Sequence, residues 1–243
     1  MLIAHYTSIE KALSRIIPTQ KLRCGKLTNT NDPYEVRMDW HLGTTFSGSN
    51  SEDVMKKIDS NAVEREKIKE KCRICCFSAC DDGSFSCGNN THLWTYYASA
   101  KDGIAQGCAL IFESDALIKN IRSNTNQILL HAGRVDYLDA EKIYQRNGGD
   151  ASIDAFMIKP KRWFNEQEFR IIIENPSKNV RHDFIDISSA LKGIVLNGMQ
   201  LNLINERYVN YMNSICGSNV KWIRRIYNSV THEFELMELS TIA

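Results

Sequence analysis

The stretch from Glu166 to Ile173 constrains the fold most, because charged and apolar side chains alternate along it. Glu168 to Ile173, Glu-Phe-Arg-Ile-Ile-Ile, is rich in the β-branched and aromatic residues that suit a pleated strand. Successive side chains of a strand leave on opposite faces, so Phe169, Ile171 and Ile173 take one face. Glu166, Glu168 and Arg170 take the other if the strand begins early enough. Two carboxylates about 7 Å apart and a guanidinium then share a surface, where the carboxylates can act on one substrate and perturb each other's ionisation. Trp163 and Phe164, just before them, are placed to wall such a site against water. An amphipathic edge strand with a solvated charged face has the same pattern, so alternation alone assigns no chemistry.

Around this strand the chain reads as a mixture of helices and strands. Thr7-Ser8-Ile9-Glu10 has the spacing of a capping box. Ile9, Ala12, Leu13, Ile16 and Ile17 then recur on one helical face, giving a helix that ends near Pro18. Strands are expected at Leu22–Leu27, Arg73–Ser78, Gly107–Phe112, Ile194–Leu196 and Val220–Ile226. Thr91 is expected to cap a helix on which Trp94, Tyr97 and Ala98 share a face. Asp139–Ile158 reads as helical with a break at Gly148-Gly149, and a last helix carries Ile204, Tyr208, Tyr211 and Ile215. Asn29 to Pro33 is dense in turn-forming residues. Residues 41–71 start Gly-, Ser- and Thr-rich and become charged, which suits a flexible insert leading into an exposed helix. No repeat or long linker divides the 243 residues, so one domain spanning 1–243 is expected.

The balance of 30 basic and 29 acidic residues provides no global field toward nucleic acid and leaves room only for a local basic patch. No apolar run approaches the ~20 residues of a membrane helix, and the first residues lack a basic stretch leading into an apolar one. A cytoplasmic protein without a membrane partner is therefore expected. Its eight cysteines, irregularly spaced, then read as reduced thiols.

Several unusual segments occur in a specific order. They are His5-Tyr6-Thr7-Ser8, Asn31-Asp32-Pro33-Tyr34-Glu35, Cys76-Phe77-Ser78, Trp94-x-x-Tyr97-Ala98 and Trp163-x-x-Glu166-x-Glu168-Phe169-Arg170-Ile171. As a set they resemble a widespread bacterial family of uncharacterised proteins. That family is in turn distantly similar to the ADP-ribosyltransferases, including the DarT toxins that modify DNA. The resemblance implies an α/β (α+β) fold: one ADP-ribosyltransferase-like domain with a split, mostly antiparallel sheet flanked by helices. It also implies that NAD is the substrate, that His5 and Thr7 open the site and that Glu168 closes it, with Glu166 helping to receive the acceptor. For the arginine used by the DarT toxins, Arg37 and Arg170 are the candidates. A toxin of a toxin–antitoxin or phage-defence system, held in check by an inhibitory partner protein, is the corresponding biological expectation.

The chemistry of these residue types fits that implication. Cleaving the nicotinamide–ribose bond builds positive charge on the sugar, and a carboxylate at the 2′-hydroxyl stabilises it most in the transition state. Glu168 suits that role. His5 and Thr7 offer polar contacts to a ribose or to the nicotinamide amide, and Tyr97 offers a ring for stacking. A structural histidine, a helix cap and a core aromatic are the bland readings of the three. Trp94 is assigned to packing. Asn31 and Asp32 either order a loop against NAD or only cap their own turn. The basic run Lys159, Lys161 and Arg162 favours a nucleic-acid acceptor over protein, single strands best, unless it is merely a solvated helix end.

Two other readings compete. Cys72, Cys75, Cys76, Cys80, Cys87 and His92 hold enough donors for tetrahedral zinc, but Cys75 and Cys76 diverge on a strand, and no metal is expected. The second is a non-catalytic sensor that keeps the fold and binds a nucleotide or a partner without turnover. No cysteine sits in a recognisable Cys-His setting for nucleophilic catalysis.

Overall fold

A computed structural model describes residues 1–27, 60, 63–80, 82–97, 107–139, 142, 152–176, 182–197, 206–216 and 220–239. In chain order, strand β1 (Leu2–Ser8) leads into helix α1, which runs through Ile9–Lys11, a π-helical turn Ala12–Ile16 and Ile17–Thr19. Strands β2 (Lys21–Lys26) and β3 (Cys72–Ala79) flank a helix at residues 63–71, here α2. A 3-10 turn (Phe85–Asn89), α3 (Thr91–Tyr97), β4 (Gly107–Glu113) and α4 (Ser114–Ser123) follow. Next come β5 (Ile128–Arg134), β6 (Asp136–Leu138), a 3-10 turn (Ile153–Met157), β7 (Ile158–Pro160) and a further 3-10 turn (Lys161–Glu166). The described chain closes with β8 (Glu168–Glu174), β9 (Asp183–Asp186), β10 (Leu191–Asn197), α5 (Glu206–Cys216), β11 (Lys221–Asn228) and β12 (Glu233–Glu238).

The fold is α+β: a ten-stranded, mostly antiparallel sheet with helices against it, as the sequence leads one to expect. Its order runs β12-β11-β10-β4-β1-β3-β2-β9, with β8 between β3 and β5; among the described residues β10 and β11 are its one parallel pair, and β6 and β7 form a separate two-stranded parallel sheet. Strand β4 is buried over Gly107–Phe112 because both its faces are covered, which explains its unbroken apolar run. The main core gathers Ile3, Phe77, Phe112, Phe169, Ile171 and Ile173 on one face, with Ala12, Ile17, Leu117 and Ile121 from α1 and α4 packed upon it. Ala4, Tyr6, Ala109 and Ile111, of opposite parity, meet Leu93 and Trp94 of α3 on the other face.

One edge positions the site. Strand β8 covers β3 along Cys72–Ser78, but on its other side β3 is shared. Strand β1 reaches it only at Ile3↔Ala79 and Ala4↔Ser78, and β2 only at Gly25↔Ile74 and Lys26↔Arg73. Among the described residues no strand pairs with Cys75, Cys76 and Phe77 on that side, so the described sheet splits there. Strand β1 meanwhile stays fully paired with β4 from Leu2 to Ser8, which carries it away from β3.

Local structure departs from the sequence reading at several points. The helix cap before α3 is Asn90, whose Oδ1 accepts the Leu93 N–H at 3.2 Å, while the Thr91 hydroxyl accepts from Arg225. Of Asp139–Ile158, Lys142 is helical, whereas the described residues from Ser152 on form a 3-10 turn followed by a strand that starts at Ile158. Helix α1 ends at Thr19; the wider π turn before Pro18 leaves room where its ring meets the preceding carbonyls. Ser8, with its Oγ 3.3 Å from the Lys11 N–H, caps it. Asn31, Asp32, Arg37 and residues 41–59 of the expected insert lie outside the described residues. Within 63–71 the insert is helical, with Arg65 and Lys69 largely buried, so that face is not exposed as expected.

Candidate active site

The split opens into a cavity of about 350 Å³, within the range of small-ligand pockets. Its walls come from Ala4, His5 and Tyr6 of β1, Arg23, Gly25 and Lys26 of β2, and Ile74–Ser78 of β3. Leu93 and Tyr97 of α3 and Lys159, Trp163, Glu166 and Glu168 complete them. The structure thus brings six residues singled out in the sequence, His5, Tyr97, Lys159, Trp163, Glu166 and Glu168, to one place. Thr7 is buried on β1, opposite Cys108, and is not among the residues that line the cavity.

Glu166 is not part of the carboxylate strand. Strand β8 begins at Glu168, Glu166 ends the preceding 3-10 turn, and Gln167 between them is left-handed at φ 45°. That reversal turns both carboxylates toward Lys159, whose Nζ lies 2.7 Å from Glu166 Oε2 and 2.8 Å from Glu168 Oε2. Lys159 is therefore not an acceptor-guiding surface cation. It is buried, and its charge is matched inside the site. Lys161 remains exposed but pairs with Asp139 at 2.7 Å, and the exposed Arg162 lies 5.9 Å over the Trp163 ring. The run stands at the start of a 3-10 turn, not at a helix C-terminus.

Arg170, fully buried, completes the cluster. Its Nε donates to Glu168 Oε1 at 2.9 Å and its Nη2 to Oε2 at 3.0 Å, while Nη1 donates to the Phe156 carbonyl. This two-point grip fixes the plane of the carboxylate. The Glu168 backbone N–H donates to the Tyr137 hydroxyl at 2.7 Å, which anchors the start of β8. Burial by itself pushes the Glu168 pKa upward, but Arg170 and Lys159 outweigh it and hold it at about 2. Glu168 is thus a buried carboxylate whose ionised form is favoured by the two cations beside it. Among the described residues the cluster pairs two carboxylates with two cations.

Across the split, His5 Nδ1 lies 3.1 Å from the Cys76 carbonyl oxygen and the ring meets Phe77 edge-on. A carbonyl can only accept, so Nδ1 carries the proton and Nε2 of the neutral ring is an acceptor. Burial lowers the His5 pKa, which keeps the ring neutral. Tyr97 is half exposed over the cavity; burial and then the Glu166 charge push its hydroxyl up to about 12. Asn90 Nδ2 donates to the Asn165 carbonyl at 2.6 Å and so ties α3 to the carboxylate turn. Trp94 packs in the core, its Nε1 donating to Gly88 O. Trp163 walls the cavity as expected, whereas Phe164 is exposed and meets Tyr137 edge-on. Two buried polar atoms lining the cavity, Ser78 Oγ and Trp163 Nε1, have no hydrogen-bond partner among the described residues.

Among the described residues no group of three or more His, Cys, Asp and Glu side chains is arranged to hold a metal ion. Cys72 and Cys75 of the Cys-x-x-Cys pair lie in different clusters on opposite faces of β3. Cys80 instead bonds Ser86 and Cys87, and the Cys87 contact lowers its thiol to about 7. No described helix is long and apolar enough to cross a membrane.

The fold and site together define an α+β protein with a ligand-sized cavity at a split in its central sheet. Comparison of the chain with protein-family models, curated proteins and solved structures finds no match. Sequence reasoning missed Tyr137, Arg23, Gly25 and Lys26 as site residues and assigned Lys159 elsewhere. Only the position of Lys159, seven residues before Glu166, carried a local signal.

Proposed function

We propose that the protein is an NAD-dependent ADP-ribosyltransferase that cleaves the nicotinamide–ribose bond at the split of the sheet, with Glu168 as catalytic carboxylate. The observation that carries this reading is that His5 and Glu168, on strands of different parts of the sheet, line one cavity. Glu168 supplies a fixed negative charge where positive charge grows on the ribose, and Arg170 holds its orientation. His5 offers Nε2 to a hydroxyl or amide N–H of the ligand, and Tyr97 offers its ring to the nicotinamide. The acceptor is a macromolecule. With Lys159 matched inside the site, the basic run supports nucleic acid less than its sequence suggested; the exposed Tyr97 and Phe164 rings still suit an unpaired base.

A second reading, a nucleotide-binding sensor without turnover, is favoured by one observation: the charges around Glu168 are already matched. Labelled NAD incubated with protein, RNA, DNA and cell extract separates the two. Nicotinamide release and label on an acceptor, both lost in Glu168→Asp and Glu168→Gln, support the transferase. Tight NAD binding with no release supports the sensor. Label confined to protein redirects the acceptor assignment.

A further inference from the structure

We infer that the β2 wall of the cavity is an anion subsite in which Arg23 and Lys26 take the diphosphate of a dinucleotide. The ligand's identity rests on the reading above; the charge and chemistry of the subsite do not.

The charged residues of the cavity fall into two groups. At the β8 end, Glu166 and Glu168 are matched by Lys159 and Arg170, so that end presents a polar but uncharged cluster. At the β2 end, Arg23 and Lys26 line the wall, and neither side chain makes an ion pair or hydrogen bond among the described residues. With His5 neutral, the lining carries two positive charges there that nothing in the cavity matches. Such a pair attracts a dianion, and a guanidinium is suited to grip two phosphate oxygens at once.

Backbone spacing fits a ligand that reaches both ends. Gly25 of the β2 wall is opposite Ile74, and Glu168 is opposite Ser78. Four residues of strand separate those positions, about 13 Å. That is too long for a sugar alone and suits a sugar at Glu168 joined to a phosphate chain at β2. Gly25 supports the assignment independently: a Cβ built there meets nothing within 4 Å, so the backbone between the two cations is open to the cavity. The unpartnered Ser78 Oγ and Trp163 Nε1 mark the intervening floor and wall as prepared for polar atoms of a ligand.

The test measures binding of ADP-ribose, ADP, adenosine and inorganic pyrophosphate by calorimetry to wild type, Arg23→Gln, Lys26→Gln and Gly25→Trp, with NAD kinetics alongside. The cations lie at the surface side of the cavity and the space beside Gly25 is empty, so thermal unfolding should match wild type and confirms that each variant is folded. The expected result is ADP-ribose and ADP affinity reduced about tenfold in each Gln variant, the scale of one charged contact. Gly25→Trp abolishes binding, and adenosine binds weakly and equally to wild type and both Gln variants. In kinetics the Gln variants raise KM for NAD and leave kcat within about twofold, whereas Glu168 variants lower kcat. Equal affinity for ADP-ribose in wild type and both Gln variants overturns the subsite, whether or not NAD is consumed. Arg23-dependent binding of ADP or pyrophosphate without NAD turnover upholds the subsite and overturns the transferase reading instead.

Discussion

The imidazole Nδ1 of His5 lies 3.1 Å from the carbonyl oxygen of Cys76, across the stretch of β3 that no described strand covers on that side. A histidine side chain thus takes the place of a ladder hydrogen bond at the point where the sheet parts. The same contact orients the ring so that its other nitrogen is available to a ligand, which makes one residue both a seam in the sheet and part of the cavity wall.

Replacing His5 by Ala should raise KM for NAD about tenfold, as expected for loss of one ligand hydrogen bond, and lower stability by roughly 1 kcal/mol through loss of the Cys76 contact. His5→Gln, whose amide keeps a donor and an acceptor, should recover part of both. Steady-state kinetics and urea unfolding of the two variants check this. Unchanged KM in His5→Ala would remove His5 from the binding site.

Glu168→Gln should lower transfer by at least ~100-fold, the scale of one lost electrostatic contact. It should also destabilise the fold, because Lys159 and Arg170 are left with a single carboxylate between them. Glu168→Asp keeps the charge and retracts it by one methylene, so it separates catalysis from folding. Activity near wild type in Glu168→Asp, with the protein folded, would count against a direct catalytic role.

The stability of the protein should fall in acid partly through Glu168. Its folded pKa of about 2 is below the ordinary 4.5, so the unfolded chain takes up the proton first. The contribution is complete above about pH 4.5 and is lost as pH falls toward 2. Urea midpoints measured across this window in wild type and Glu168→Gln should show a weaker acid dependence in the variant; parallel curves would contradict the assignment.

Lys159→Met leaves two buried carboxylates facing each other with only Arg170 on Glu168, and breaking such a buried pair typically costs about 3–5 kcal/mol. Adding Glu166→Gln removes the excess charge and should restore much of that loss. A double-mutant cycle by chemical denaturation measures the coupling. Additive effects would mean that Lys159 and Glu166 do not interact in the folded protein.

Tyr137→Phe removes the acceptor for the Glu168 backbone N–H and should cost about 1–3 kcal/mol. Tyr137 touches the backbone of Glu168 and is absent from the cavity lining, so it acts by positioning. The expected signature is reduced kcat with KM little changed, together with a lower denaturation midpoint. A shift in KM alone would place Tyr137 against the ligand instead.

Part of this protein is legible from local pattern. Periodicity places α1, β3, β4, β8, β10 and β11 within a few residues, since each buries a regular apolar face or a continuous apolar run. Strand β5, Ile-Leu-Leu-His-Ala-Gly-Arg, escapes because it lies at the end of the β8 branch, is only partly covered and carries no strict alternation. Helix α4 escapes because its ten residues bury little more than Leu117 and Ile121.

The sequence by itself determined that a strand would present Glu168 and Arg170 on one face and apolar residues on the other, because side-chain direction along a strand is set by covalent geometry. Only the tertiary structure decided that this face is buried at a cavity instead of solvated at an edge. The opening depends on β1 and β2 meeting β3 at its two ends, between residues some 50 to 75 positions apart in the chain. Lys159 likewise changes from a surface cation to the centre of the cluster, because the left-handed backbone at Gln167 turns both carboxylates onto it and so offsets the cost of burying its charge. Strand pairing and charge burial are properties of the whole chain in space, and no local window contains them.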